Sequence, residues 1–152
     1  MIRRMPVGVL VGIGIALVAG LAFLVWRGAG STDPSRLVVG DCFDIPAQAQ
    51  RIEDLKSRAC GGAHGGEVFH IFEASAANQT YPTDAGWEAL IYPVCDPVFE
   101  AYTGTPVAER LDIGYVFLVP TSDRWGAGDR RVTCFINSLD GSPLSRSFRA
   151  AP

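Results

Sequence analysis

Hydrophobic positions follow two regimes along the chain. Val7 to Trp26 is a run of twenty residues without a charge. As a helix, at a rise of ~1.5 Å per residue, it matches a hydrocarbon core of ~30 Å. Beyond residue 36 the apolar residues come in short runs cut by Gly, Pro and Asp. Glu67 to Glu73 (Glu-Val-Phe-His-Ile-Phe-Glu) is rich in β-formers and predicts a strand. Ile113 to Val119 predicts a second. Arg131 to Asn137 predicts a third, with Val132, Cys134 and Ile136 on one face and Thr133 and Phe135 on the other. Leu37-Val38-Val39 reads as a short strand stopped by Gly40-Asp41.

Helical spacing appears in one region. Asp84 is placed to cap a helix carrying Trp87, Leu90 and Ile91. Pro93 is expected to end it. Asp96-Pro97 is expected to start a second helix, with Asp96 as N-cap, Phe99 and Tyr102 on one face and Gly104 as the stop. Residues 48–58 read as a polar loop or one helical turn, 74–80 as a loop, and 121–129 as a turn-rich loop around Trp125. Asp140-Gly141 marks a turn.

The sum is an α+β fold: a small antiparallel sheet with one or two short helices, disulfide-stapled and preceded by a single N-terminal transmembrane helix. The expected division is a cytoplasmic N-terminus (1–6), a transmembrane signal anchor (7–26), a linker (27–36), an exported domain (37–141) and a flexible tail (142–152). A cleaved signal peptide is the rival reading of the first segment, but its apolar core is usually only ~7–15 residues. Gly8, Gly12, Ala16 and Gly20 form a small-residue stripe of the kind that lets helices pair. Asn78-Gln79-Thr80 matches a glycosylation acceptor.

Charge narrows the partners. Of thirteen Lys and Arg residues, Arg3, Arg4 and Arg27 flank the apolar run; the other ten face sixteen acids, a net of −6 for residues 31–152. Phosphate binding needs the opposite sign, so nucleic acid is not an expected partner. The expected partners are the membrane, through residues 7–26, and an envelope protein.

Four cysteines in so short an exported domain suggest two disulfides. They allow three connectivities, and sequence alone does not choose. Cys42–Cys60 and Cys95–Cys134 are expected. The first would close a polar loop with little else to hold it, and the second would staple a helix to the last strand.

The candidate chemistry lies in Cys60-Gly-Gly-Ala-His64-Gly-Gly-Glu67, with His70 beyond. Cys60, His64, Glu67 and His70 are metal-ligand types. In a regular strand, however, Glu67 and His70 point to opposite faces, and a disulfide removes Cys60 as a ligand. No metal or other cofactor is expected. The simpler reading has His64 holding a glycine turn and His70 part-buried in a strand. Asp41, Asp44, Glu67 and Asp129 are not brought together by any local pattern, and Asp41 and Asp129 follow glycines as turn residues do. No nucleophile elbow or phosphate loop is present. His64, as a partly exposed ring, and Trp125 are candidate partner contacts; for Trp125 the competing reading is a cover for the core edge.

Several pieces in order resemble the septum-formation domain family of actinobacterial secreted and membrane-anchored proteins. They are Val39-Gly40-Asp41-Cys42, then Cys60 through His64 to Glu67-Val68-Phe69. Cys95 follows with Phe99, Tyr102 and Gly104, and then Pro120, Trp125, Gly128-Asp129-Arg130 and Cys134. The family pattern has Pro before the histidine, where this chain has Ala63. The resemblance implies an exported, disulfide-bonded envelope domain and carries no catalytic residue. The expected function is a non-catalytic, membrane-anchored envelope protein acting through partners, linked to septum formation. The alternatives are a metal- or carboxylate-dependent envelope enzyme, or an accessory subunit of a membrane complex.

Overall fold

The structure, a computed structural model, describes residues 31–45, 55–75 and 80–151. The chain divides into two units, Met1–Gly30 and Ser31–Pro152. The apolar run of residues 7–26, its small-residue stripe, and Asn78 and Gln79 of the sequon lie outside the described residues. Among those that are described, no helix is long and apolar enough to cross a membrane.

The second unit is built on one antiparallel sheet. Its strands are β1 (Ser31–Thr32), β2 (Cys42–Asp44), β3 (Leu55–Arg58), β4 (Gly66–Glu73), β5 (Ile113–Leu118) and β6 (Arg131–Ser138). Their order is β1-β3-β2-β4-β6-β5, every neighbour antiparallel. The three longer strands expected from the sequence are therefore the contiguous half β4-β6-β5. Val132, Cys134 and Ile136 do share a face, buried beside Phe69, Trp87, Ile91 and Phe99. Val68 and Phe135 face the other way, into a smaller cluster with Leu37, Phe43 and Leu55. The sheet thus has apolar packing on both sides.

The larger cluster is covered by one long helix, α1 (Asp84–Thr103), where two short ones were expected. Trp87, Ile91, Cys95 and Phe99 recur every fourth residue and are buried. That single stripe runs straight past both prolines. Pro93 and Pro97 sit on the exposed flank, where water can serve the carbonyls of Ala89 and Pro93 that lose their N–H partners. Asp96 is consequently mid-helix, and it accepts from the Tyr115 hydroxyl. The N-cap is Thr83, not Asp84: its side chain accepts from the Gly86 N–H at 3.2 Å. Gly104 ends the helix as expected, in the left-handed region at φ 77°, its N–H reaching the Glu100 carbonyl.

Three further expectations change. Leu37–Val39 is not a strand; the strands on either side are β1 (Ser31–Thr32) and β2 (Cys42–Asp44). Asp41 accepts from the Val38 N–H and Gly40 sits at φ 95°, so residues 38–41 form a turn. Within 48–58, Leu55–Arg58 forms β3, and 46–54 lies outside the described residues. Lys-Ser-Arg carries little strand signal; pairing with β2 and the Arg58–Asp44 ion pair hold it there. Thr121 accepts from the Arg124 N–H and starts a short helix, α2 (Ser122–Gly126), where a loop was expected.

The tail is also docked. Leu144 pairs with His64 through two backbone hydrogen bonds of 3.0 and 2.8 Å and is buried. The Ala150 N–H donates to the Tyr102 carbonyl at 2.7 Å. Residues 144–150 therefore run along the domain instead of leaving it.

Candidate functional site

Both expected disulfides are present, Cys42–Cys60 and Cys95–Cys134. Cys95 lies in the middle of α1 and Cys134 in β6, so the second bond ties the helix to the sheet through the larger cluster. The first ties the start of β2 to the glycine-rich turn that precedes β4.

That turn approaches its neighbours too closely for side chains. A Cβ on Gly65 would lie 2.7 Å from the Ile45 backbone nitrogen. One on Gly66 would lie 2.8 Å from the Phe135 ring and 3.0 Å from that of Phe43. Only glycine lets the chain enter the sheet there.

His64 is 1% exposed, not the partly exposed ring expected from its glycine neighbours. Its Nδ1 lies 2.7 Å from the Gly62 carbonyl. A carbonyl oxygen only accepts, so Nδ1 is the donor, and in the neutral ring Nε2 is left with a lone pair. Among the described residues that Nε2 has no hydrogen-bond partner. The turn-holding role expected for His64 is therefore what its Nδ1 does. An open hollow of about 620 Å³ has His64 among its lining residues, together with Asp44, Lys56, Arg58 and Pro143. The Arg58 guanidinium hydrogen-bonded to Asp44 holds that carboxyl below the usual range.

Glu67 is fully buried. Burying a carboxylate is costly unless it is hydrogen-bonded, and three donors answer it. Oε1 accepts from the Tyr102 hydroxyl at 2.7 Å and the Ser147 hydroxyl at 2.6 Å; Oε2 accepts from the Phe148 N–H at 2.8 Å. Glu67 thus joins β4, α1 and the tail. Burial, followed by the hydrogen bond to Glu67, pushes the Tyr102 hydroxyl up to about 12. None of these three partners carries a local sequence signal: Ser147 stands 80 residues from Glu67.

Glu67 and His70 were expected on opposite faces. The register of β4 against β6 shifts between Val68 and His70, with Phe69 the extra residue of a bulge. Glu67 then pairs with Ile136 and His70 with Cys134, so both fall on the helix-covered face. His70 is half-buried and stacks on Phe72 at 5.6 Å; burial lowers its pKa. It does not join His64. The ligand-type atoms that do converge, all within 4.8 Å of one another, belong to Cys42, His64 and Glu67.

Trp125 is 2% exposed and meets Trp87 edge-on at 5.3 Å, with the Arg130 guanidinium 3.7 Å over its ring. It covers the edge of the core. Asp129 accepts from the Arg131 N–H and pairs with Arg124, a turn role like that of Asp41.

The fold and site define a disulfide-stapled α+β domain in which the converging polar residues hold chain segments together. The profile of the septum formation family matches residues 32–151, and the chain belongs to that family. The chain is also similar to uronate isomerases from two strains of Xanthomonas oryzae pv. oryzae. Each is 31% identical over 137 residues, which covers 84% of this chain and 28% of the relative. The chain therefore spans little more than a quarter of the length of those curated relatives. No solved structure matches.

Proposed function

We propose that this is a non-catalytic envelope protein, anchored by residues 7–26, whose exported domain acts in septum formation through a protein partner. Membership of the septum formation family supports the link to division. The uncharged run from Val7 to Trp26 supports the anchor. Two disulfides support an oxidising compartment.

The observation that carries the non-catalytic part is the use made of Glu67. Three of its four lone-pair positions are taken by Tyr102, Ser147 and Phe148, so it acts as a latch for the tail. An acid of that kind is poorly placed to exchange protons with a substrate. The likeness to uronate isomerases covers 28% of those enzymes and supplies no reason to move their activity to this chain.

A fluorescent fusion of the full chain, followed through division in its own cells, tests this reading. Accumulation at the septum, with misplaced or delayed septa on deletion, is expected. A uniform envelope signal with normal septa in the deletion strain contradicts it.

A further inference from the structure

Cys42, His64 and Glu67 come from different parts of the chain, yet their ligand atoms converge within 4.8 Å and all three are buried. Two of them have unused capacity. His64 is oriented by Nδ1–H on the Gly62 carbonyl, and its buried Nε2 has no partner among the described residues. Holding one imidazole nitrogen on a backbone carbonyl while the other stays bare is how proteins set a histidine for a metal. On Glu67, Oε1 takes two hydrogen bonds and Oε2 one, so Oε2 keeps a lone pair. Only Cys42 is unavailable, because its sulfur is bonded to Cys60.

We propose that the domain holds a redox-gated zinc site: when Cys42–Cys60 is reduced, Cys42, His64 and Glu67 take up one Zn²⁺. The reductant is a dithiol. It delivers two electrons and two protons to the disulfide and itself becomes a disulfide, leaving Cys42 and Cys60 as thiols. Zinc displaces the proton of the Cys42 thiol into solvent and bonds its thiolate, the His64 Nε2 lone pair and the Glu67 Oε2. Cys60, released beside Cys42, is the nearest remaining sulfur for the fourth corner. A sulfur, nitrogen and oxygen set suits Zn²⁺ in tetrahedral geometry. Bonds of about 2.0–2.3 Å place such ligands about 3.3–3.8 Å apart, and one ligand-type atom of each of the three residues already lies within 4.8 Å of the others. Among the described residues the second disulfide is part of no such set: Cys95 and Cys134 lie in the apolar cluster with Phe69, Ile91 and Phe99. The oxidised form uses the same residues as a latch, and the reduced form uses them as a metal clamp.

The test is anaerobic titration of the full chain with Co²⁺ as the optical probe, then displacement by Zn²⁺. Oxidised and dithiol-reduced protein are compared after the dithiol has been removed. Expected are one metal ion per reduced chain with a thiolate charge-transfer band, and none in the oxidised chain. His64→Ala and Glu67→Gln, each first shown by circular dichroism to keep the oxidised fold, should bind the metal ten- to a hundredfold more weakly. A Cys95→Ala/Cys134→Ala chain should still bind it. The proposal is overturned if the reduced chain takes no metal, whether it is folded or not. It is equally overturned if His64→Ala binds with unchanged affinity, or if binding is lost with Cys95 and Cys134 and survives Cys42→Ser.

Discussion

Cys95–Cys134 joins a helix and a strand that already pack through Ile91, Phe99, Val132 and Ile136, whereas Cys42–Cys60 ties the three-residue strand β2 to the turn that follows the four-residue strand β3. The half of the sheet made by β4, β5 and β6 is long-stranded and covered by twenty residues of helix. The half made by β1, β2 and β3 has strands of two to four residues and the smaller cluster. The first region is stabilised mainly by apolar burial. The second depends on covalent closure and buried polar contacts; His64 lies in the turn beside it, and Glu67 opens β4 at the seam between the two halves, paired with Cys42 on one side and Ile136 on the other.

Removing each disulfide tests that contrast most strongly. Loop-closure entropy assigns about 4 kcal/mol to the bond spanning 39 residues and about 3 kcal/mol to the one spanning 18. Chemical denaturation of Cys95→Ala/Cys134→Ala and Cys42→Ala/Cys60→Ala should return losses of that size. The pattern of damage should differ. The first pair should lower the stability of the whole domain in one transition. The second should open the Cys60–Gly66 turn to protease before the helix melts. Equal and global effects from both would remove the contrast.

Glu67→Ala comes next. It leaves the Tyr102 hydroxyl, the Ser147 hydroxyl and the Phe148 N–H without their acceptor. The tail can rehydrate, so the expected loss is about 2–3 kcal/mol, seen as a lower thermal midpoint. A smaller effect is expected at high pH. The folded Tyr102 hydroxyl holds its proton up to about 12, against 10.0 in the unfolded chain. Its contribution is intact below pH 10 and is lost as the pH rises through about 12. Tyr102→Phe should therefore flatten the fall in stability across that window. The smallest effect concerns His70, whose pKa burial lowers from 6.5. Its contribution is full above that value and is lost as the pH falls through the lowered one. His70→Gln should weaken the acid slope below pH 6.5 slightly.

The same two regions differ in how far the sequence announces them. Strands β4, β5 and β6 were legible because each is long, rich in β-branched and aromatic residues, and bounded by Gly, Pro or Asp. The disulfide pairing was not fixed by the sequence, which allows three connectivities; the expected one is the one present. Proline rules misled over α1: they are local, while Trp87, Ile91, Cys95 and Phe99 form one stripe that needs the whole helix. Strand β3 was hidden because Lys56, Ser57 and Arg58 owe their conformation to β2. Alternation failed at Phe69 because a bulge depends on the facing strand, and so it reversed the expected relation of Glu67 to His70. The site was located by residue types, but its role was not. That Glu67 is buried under a tail anchored by Ser147 and Phe148 is a long-range fact that no local pattern encodes.

The central claim is that Glu67 and His64 latch the C-terminal tail onto the domain. Amide hydrogen exchange of residues 144–150, in the wild-type chain and in Glu67→Ala, tests it directly. Protection of Leu144, Phe148 and Ala150 in the wild type, lost at Phe148 and Ala150 in the variant, is the expected result. A tail that exchanges as fast in the wild-type protein as in the variant would contradict the account.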